Sequence, residues 1–451
     1  MSETEGRTGE KTGKKQELKR AISRRLLIFF IVGDILGTGI YALVGEVGGS
    51  VGGAIWVSFL VAMIVAFMTA FSYAELVSKY PDAAGAALYV HKAFKMPFVT
   101  FIVAFAVVLS GITSASAAGT AFGGDYLTEF VVLPAVIVAI VFIIVLSIVN
   151  FIGIKESVTF NVVFTIIELS GLLLILVIGV TALLGGTGDP GRAMEFKGAG
   201  SIPLAIVAGA SLAFFALVGF EDSVNVAEET HEPSKNFPRA LFIGVAITGT
   251  VYVLVAFTAS MVVPTGQLVG SSAPLLEVVK EGPIAVPTVL FSAIALTAVT
   301  NSALINLIMG SRLLYGMANQ GVIPSAFGHV HRARRTPIVA IVFIAVIGIG
   351  LVSTQKVEAL GAMTAAFLLA VFTLVNIVVL VLRRERVDHE HFKTPTAIPV
   401  LAAISCVLLL TKQEGAVLLQ AGGLLLVGIV LWLINRLVAT RVPALRAEEL
   451  S

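Results

Sequence analysis

The chain has 451 residues, of which 57% are apolar and 13% charged, with a formal net charge of +2. A soluble domain carries about a quarter charged residues to wet its surface, so this composition excludes an ordinary water-soluble enzyme or binding module. The charges cluster between apolar runs of about twenty residues, each long enough to cross the ~30 Å hydrocarbon core of a bilayer as a helix.

Residues 1–19 form a charged, Gly- and Thr-rich arm with no apolar period, expected to be disordered and cytoplasmic. The apolar run that starts near Leu26 has no small-residue cleavage pattern behind it and is followed at once by others, so it reads as a retained first helix. Twelve spans are expected, at 26–46, 54–79, 97–122, 131–150, 157–184, 203–228, 239–263, 284–318, 336–353, 357–382, 396–412 and 416–438. With the amino terminus inside, 25 of the 30 Lys and Arg residues fall on the cytoplasmic side, and only Arg192, Lys197, Lys280, Lys356 and Lys412 fall outside. The positive-inside rule then places both termini in the cytoplasm of a multi-pass protein of the cell membrane. Cys406 sits alone in an apolar run and reads as a buried structural thiol.

Two spans are not written as plain helices. Span one reads Gly33-Asp34-Ile35-Leu36-Gly37-Thr38-Gly39-Ile40-Tyr41, with three glycines and an acid in mid-span. Alternating glycines do not make one packing face, and a small-xxx-small motif needs no carboxylate. The expectation is that the helix unwinds around Gly37–Gly39, freeing peptide groups that are tolerable at that depth only where they line a cavity. Span six reads Phe214-Phe215-Ala216-Leu217-Val218-Gly219-Phe220-Glu221-Asp222, and a break is expected near Gly219. Facing Glu221 and Asp222 to lipid would cost several kcal/mol. These spans open two runs of five, 20–202 and 203–383, whose directions are opposed; 384–451 holds two more spans and a cytoplasmic tail. Interrupted helices matched across inverted halves point to a secondary transporter's midplane site. The N-terminal end of one half-helix suits a carboxylate, and the C-terminal carbonyls of another suit an ammonium. A zwitterionic amino acid has both.

The motifs in this order resemble the amino acid–polyamine–organocation (APC) transporter superfamily over nearly the whole chain. Gly37-Thr38-Gly39-Ile40-Tyr41 is similar to its glycine-rich break, and Tyr73-Ala74-Glu75-Leu76 with Pro81, Gly85 and Tyr89 to the end of its second span. Phe214-Phe215-Ala216 through Glu221 resembles the broken sixth span. Ala227-Glu228-Glu229 with Pro233, Lys235, Pro238 and Arg239 resembles the loop after it. Ser311-Arg312-Leu313-Leu314-Tyr315-Gly316-Met317-Ala318 resembles the end of span eight. The resemblance implies an all-α LeuT-type five-plus-five inverted repeat with two added C-terminal helices, twelve transmembrane helices in all, and alternating access. It also implies substrate contacts from Ile35, Gly37, Thr38, Gly39 and Ile40 on one side and Phe215, Ala216, Val218 and Gly219 on the other. Phe215 falls where such proteins often place an aromatic gate. At the position where some proton-coupled members carry a lysine in span five, this chain has Glu168.

Asp34, Glu168 and Glu221 are the candidates for proton coupling or cation recognition, with Asp222 beside them. Desolvation favours the neutral form of a carboxylate, so such a group can load and release a proton; the alternative is an acid that only satisfies freed backbone. No Lys or Arg lies mid-span, which favours a neutral or cationic solute. Thr297, Thr300, Asn301 and Ser302 could offer oxygens to sodium, but hydroxyls and amides are also ordinary glue between membrane helices, as are Ser110, Ser114 and Ser116. A proton is the expected coupling ion ahead of sodium. His389-Glu390-His391 is a weak metal signal, read as a solvated loop. The chain shows no nucleotide-binding loop and no zinc or nucleophile motif. The expectations are therefore a transporter and not an enzyme, without cofactor or nucleic-acid partner, working on an amino acid within the lipid bilayer. A polyamine or organic cation, amino acid exchange, and a channel are the competing readings.

Overall fold

A computed structural model of the protein describes residues 22–81, 85–153, 158–197 and 201–441. The arm at 1–19, the loop with Lys155 and the tail beyond 441 lie outside the described residues. Within them the secondary structure is helical apart from two isolated bridges, Ile22 with Thr230 and Gly52 with Phe196.

In chain order the first half holds α1 (Arg24–Ile35), α2 (Thr38–Val51), α3 (Ile55–Lys79), α4 (Gly85–Phe94), α5 (Pro97–Phe122), α6 (Asp125–Thr128), α7 (Ala135–Ile152) and α8 (Val158–Leu184). The second holds α9 (Ile202–Ala213), α10 (Pro233–Val262), α11 (Thr265–Val269), α12 (Pro274–Glu281), α13 (Thr288–Asn319), α14 (Ile338–Thr354) and α15 (Val357–Leu382), and α16 (Ala397–Leu410) and α17 (Gly415–Arg441) follow. Nine helical segments among the described residues are long and apolar enough to cross a membrane, and α1 with α2, bent by 44°, makes a tenth. At the positions of the other two expected spans lie shorter apolar helices, α14 and α16, which fall below that length, so nine or ten of the twelve are matched by length and composition.

The outer helices expose apolar side chains. On α7 the exposed large side chains are Val136, Ile137, Val141, Ile144, Val145, Ile148 and Ile152, an apolar stripe at helical spacing. Inside, α3 packs along α10, and α5 lies between α13 and α15. Polar side chains join these inner helices. Ser72 donates to Asn376 at 2.6 Å, Asn376 to Thr69 at 3.2 Å, and Thr113 and Thr364 share a hydrogen bond of 2.7 Å. Cys406 is buried with a free thiol.

Candidate functional site

Span one breaks at Leu36 and Gly37, where the backbone is extended between α1 and α2. The expected break at Gly37–Gly39 is therefore shifted toward the amino terminus, and Thr38 and Gly39 already belong to α2. A helix needs N–H partners four residues upstream, and α2 begins without them, so the N–H groups of Thr38, Gly39 and Ile40 have no intrahelical acceptor. On the other side, the α1 carbonyls reach the break. Tyr252 from α10 donates its hydroxyl to Ile35 O at 2.9 Å.

Span six breaks as well. α9 tightens into a 3₁₀ turn at Phe214–Leu217, Val218 is extended, and Gly219 takes φ +117°, a left-handed conformation open to glycine. The Gly219 N–H donates to Glu221 Oε2 at 2.8 Å, and its carbonyl accepts from Asp222 N–H at 2.9 Å. Beyond the break the chain forms only a short 3₁₀ segment, Asp222–Val226, instead of the expected second half-helix. Asp, Ser and Asn in that run offer the backbone competing partners, as where Ser223 Oγ donates to Phe220 O.

The two breaks touch. A Cβ on Gly39 would stand 2.4 Å from Ala216 Cα, and one on Gly219 would stand 2.5 Å from Asp34 O. Sequence number rises along one segment as it falls along the other, so they run antiparallel where they meet. Above the crossing lies an aromatic cap. Tyr126 donates to Tyr41 O and Tyr41 to Glu168 O, both at 2.8 Å, with Phe291 against both rings.

Below the crossing opens a cavity of about 890 Å³. Among the expected site residues, Asp34, Ile35, Gly37, Thr38, Gly39, Phe215, Val218, Gly219 and Glu221 line it. Ile40 and Ala216 do not. Ile40 is fully buried, and Ala216 is covered by Gly39, because a close helix crossing consumes the surface of the residues that make it. Glu168 is also outside the cavity. It is fully buried in α8, where Asn301 from α13 donates to Oε1 at 3.1 Å and Oε2 has no hydrogen-bond partner. The hydroxyls of Thr297 and Thr300 bond to carbonyls of their own helix at 2.7 Å, which is packing chemistry. No group of His, Cys, Asp and Glu among the described residues is placed to hold a metal. His389 instead lies 3.1 Å from Ser78 O.

The cavity has further walls that the sequence did not single out for this purpose. Tyr73, Asn225, Asn306, Met309, Thr364 and Leu368 line it, and Ser110 and Ser114 contribute from α5. From the breaks it runs toward His91, Pro97, Arg312, Gly316 and Gln320. Residues of the aromatic cap do not line it. Phe215 stands at its inner end against Gly361, whose Cβ position would be 3.2 Å from the Phe215 ring.

Comparison with known proteins agrees with this architecture. A model of the amino acid permease family matches residues 22–434. The branched-chain amino acid permease BcaP of Bacillus subtilis is 26% identical over 285 residues, covering 62% of this chain and 60% of the relative. A methylthioribose transporter of the same organism is 25% identical over 268 residues, covering 58% and 56%. The low-affinity putrescine importer PlaP of Escherichia coli is 25% identical over 334 residues, covering 71% and 73%. The matched region thus spans little more than half the length of the first two relatives. The chain is a multi-pass membrane protein that belongs to the amino acid permease family of the APC superfamily.

Proposed function

We propose that this permease is a secondary active transporter that carries a neutral or cationic amino acid by alternating access, with both termini in the cytoplasm. The observation that carries the reading is the meeting of two helix breaks at the head of one cavity. The α2 N-terminus is the pole for the substrate carboxylate, and the carbonyls that end α1 and the Phe214–Leu217 turn are the pole for its ammonium. Phe215 closes over the bound substrate. The cavity leads away from the aromatic cap toward His91, Arg312 and Gln320, at span ends that this topology assigns to the cytoplasm, so in this reading the state is inward-facing.

Coupling to protons is the finer half of the reading. Glu168 carries a buried oxygen without a donor, next to an amide that holds the other, and is the leading proton carrier; Glu221, hydrogen-bonded to the backbone at the second break, is the other. A polyamine or other organic cation is the second reading. It is favoured by Asp34, Glu221 and Asp222, whose acids line the cavity near the breaks, and by a relative that imports putrescine. Purified protein in liposomes separates these readings. Uptake of labelled amino acids against putrescine, under imposed proton or sodium gradients, is expected to show amino acid accumulation driven by an inward proton gradient. Accumulation that follows sodium and ignores pH contradicts the coupling, and conductance without saturable exchange would identify a channel.

A further inference from the structure

At the end of α3 and α15, away from the substrate cavity, a second site is built from positive charge. Glu75, 1% exposed, accepts from Arg383 Nε at 2.8 Å and Nη2 at 2.7 Å. It also accepts from the Thr394 N–H at 2.8 Å. Lys79 Nζ donates to the carbonyls of Leu382 and Glu385, each at 2.6 Å, and Tyr80 donates its hydroxyl to Glu385 Oε2 at 2.6 Å. These bonds strap the segment after α15 to the end of α3 and engage both carboxylates of the cluster.

Between the strap and α3 is a pocket of about 240 Å³ whose charged lining is Lys79, Arg383, Arg386, Lys393 and Glu385, with His391 beside them. Asp388 and Glu390 of the same segment are exposed and do not line it. Arg386 and Lys393 have no ion pair or hydrogen bond among the described residues. The pocket therefore holds an excess of cations around a half-open space, two of them fixed by the fold and two, Arg386 and Lys393, exposed with open donors. The Arg383 donors are taken by Glu75, Thr394 and Thr396, so the guanidinium of Arg386 and the ammonium of Lys393 are the groups left to meet the oxygens of a phosphate.

Its position selects the kind of phosphate. Two apolar spans, α3 and α15, end at the pocket, and α16 starts a few residues after Lys393. The site therefore lies at the depth of the lipid headgroups. On α16 the exposed side chains Val400, Leu401, Ile404, Val407 and Leu408 form an apolar stripe at helical spacing. We propose that this pocket binds the phosphate of an anionic phospholipid headgroup, whose acyl chains lie along the exposed face of α16. Basic pockets at the ends of membrane helices have the charge and depth for such headgroups. Bound there, the headgroup bridges α3 to the strap, so lipid binding stabilises the fold by mass action. The proposal is independent of which solute is transported.

The test uses the full chain in neutral detergent, titrated with phosphatidylglycerol, phosphatidylcholine or inorganic phosphate, read by native mass spectrometry and by thermal unfolding. Phosphatidylglycerol is expected to bind and raise the unfolding midpoint, while phosphatidylcholine and inorganic phosphate at the same concentration leave it unchanged. The double variant Arg386→Gln with Lys393→Gln removes side chains that hold nothing in the fold. It should weaken phosphatidylglycerol binding by roughly tenfold or more, at about 1 kcal/mol for each charge. Should the variant not fold, rising salt applied to the wild type is expected to release the lipid, because screening weakens the contact. An equal response to both lipids, a full response to inorganic phosphate, wild-type binding by a folded double variant, or salt-insensitive binding would each overturn the proposal.

Discussion

Gly39 and Gly219 have no room for a side chain, and each faces backbone of the other broken span. At Gly219 the left-handed φ of +117° adds strain for any other residue. Gly39→Ala and Gly219→Ala are expected to destabilise the protein by about 1–3 kcal/mol each and to abolish uptake in liposomes while the protein still inserts. Gly422→Ala, with nothing near its Cβ position, should match the wild type in both. Glu168→Gln preserves the size of the side chain and an oxygen for Asn301. It is expected to lose proton-driven accumulation and to keep counterflow exchange; accumulation at the wild-type level would make Glu168 a structural acid. The glycines and acids of the breaks were legible because each is out of place in an apolar run. Tyr252 was not, because its bond to Ile35 joins residues 217 positions apart, and a single hydroxyl in a span does not declare its partner. Asn301 was noticed for its chemistry, yet Glu168 as its partner came only from the packing of α8 on α13.

Among the elements, the straight spans were read closely from apolar length alone. The expected 97–122 and 357–382 coincide with α5 and α15, since lipid thickness fixes how long such a helix must be. Span six was read as one interrupted helix, but its second part is only 3₁₀. The small helices α4, α11 and α12 were not anticipated, because short segments outside the bilayer have too few residues to show a period. Two linkages between elements carry predictions. Arg383→Gln leaves the buried Glu75 carboxylate without its cation and should lower stability by about 3 kcal/mol, measured by denaturation in detergent. On the opposite side, Glu129 accepts from Thr288 at 2.6 Å and from Lys280 at 3.3 Å. The Thr288 hydroxyl, and then Lys280, hold the Glu129 carboxyl below its usual range against the opposing effect of burial. In the unfolded chain the group titrates near about 4.3. Its contribution is therefore complete above that pH and is lost as the pH falls through the lower folded value. Acid should destabilise the wild type more steeply than Glu129→Gln in a melting series; parallel curves would remove Glu129 from the account.

For the molecule as a whole, two broken spans, the first and the sixth expected in chain order, meet where a cavity ends beneath an aromatic cap. This convergence links composition to transport, because freed peptide groups at membrane depth are stable only where something polar can occupy the space they face. Family membership and the helical membrane architecture could be read from the order of motifs. The cavity's full wall could not, because Asn306, Thr364 and Asn225 come together from three distant parts of the chain. The most direct test is equilibrium binding of labelled amino acids to purified wild type, Gly39→Ala and Gly422→Ala. Saturable binding of a neutral or cationic amino acid is expected for wild type and Gly422→Ala, with affinity weakened by roughly tenfold or more in Gly39→Ala. Undiminished binding by Gly39→Ala, folded and with its spans intact, would contradict the claim that the crossing of the two breaks is where substrate docks.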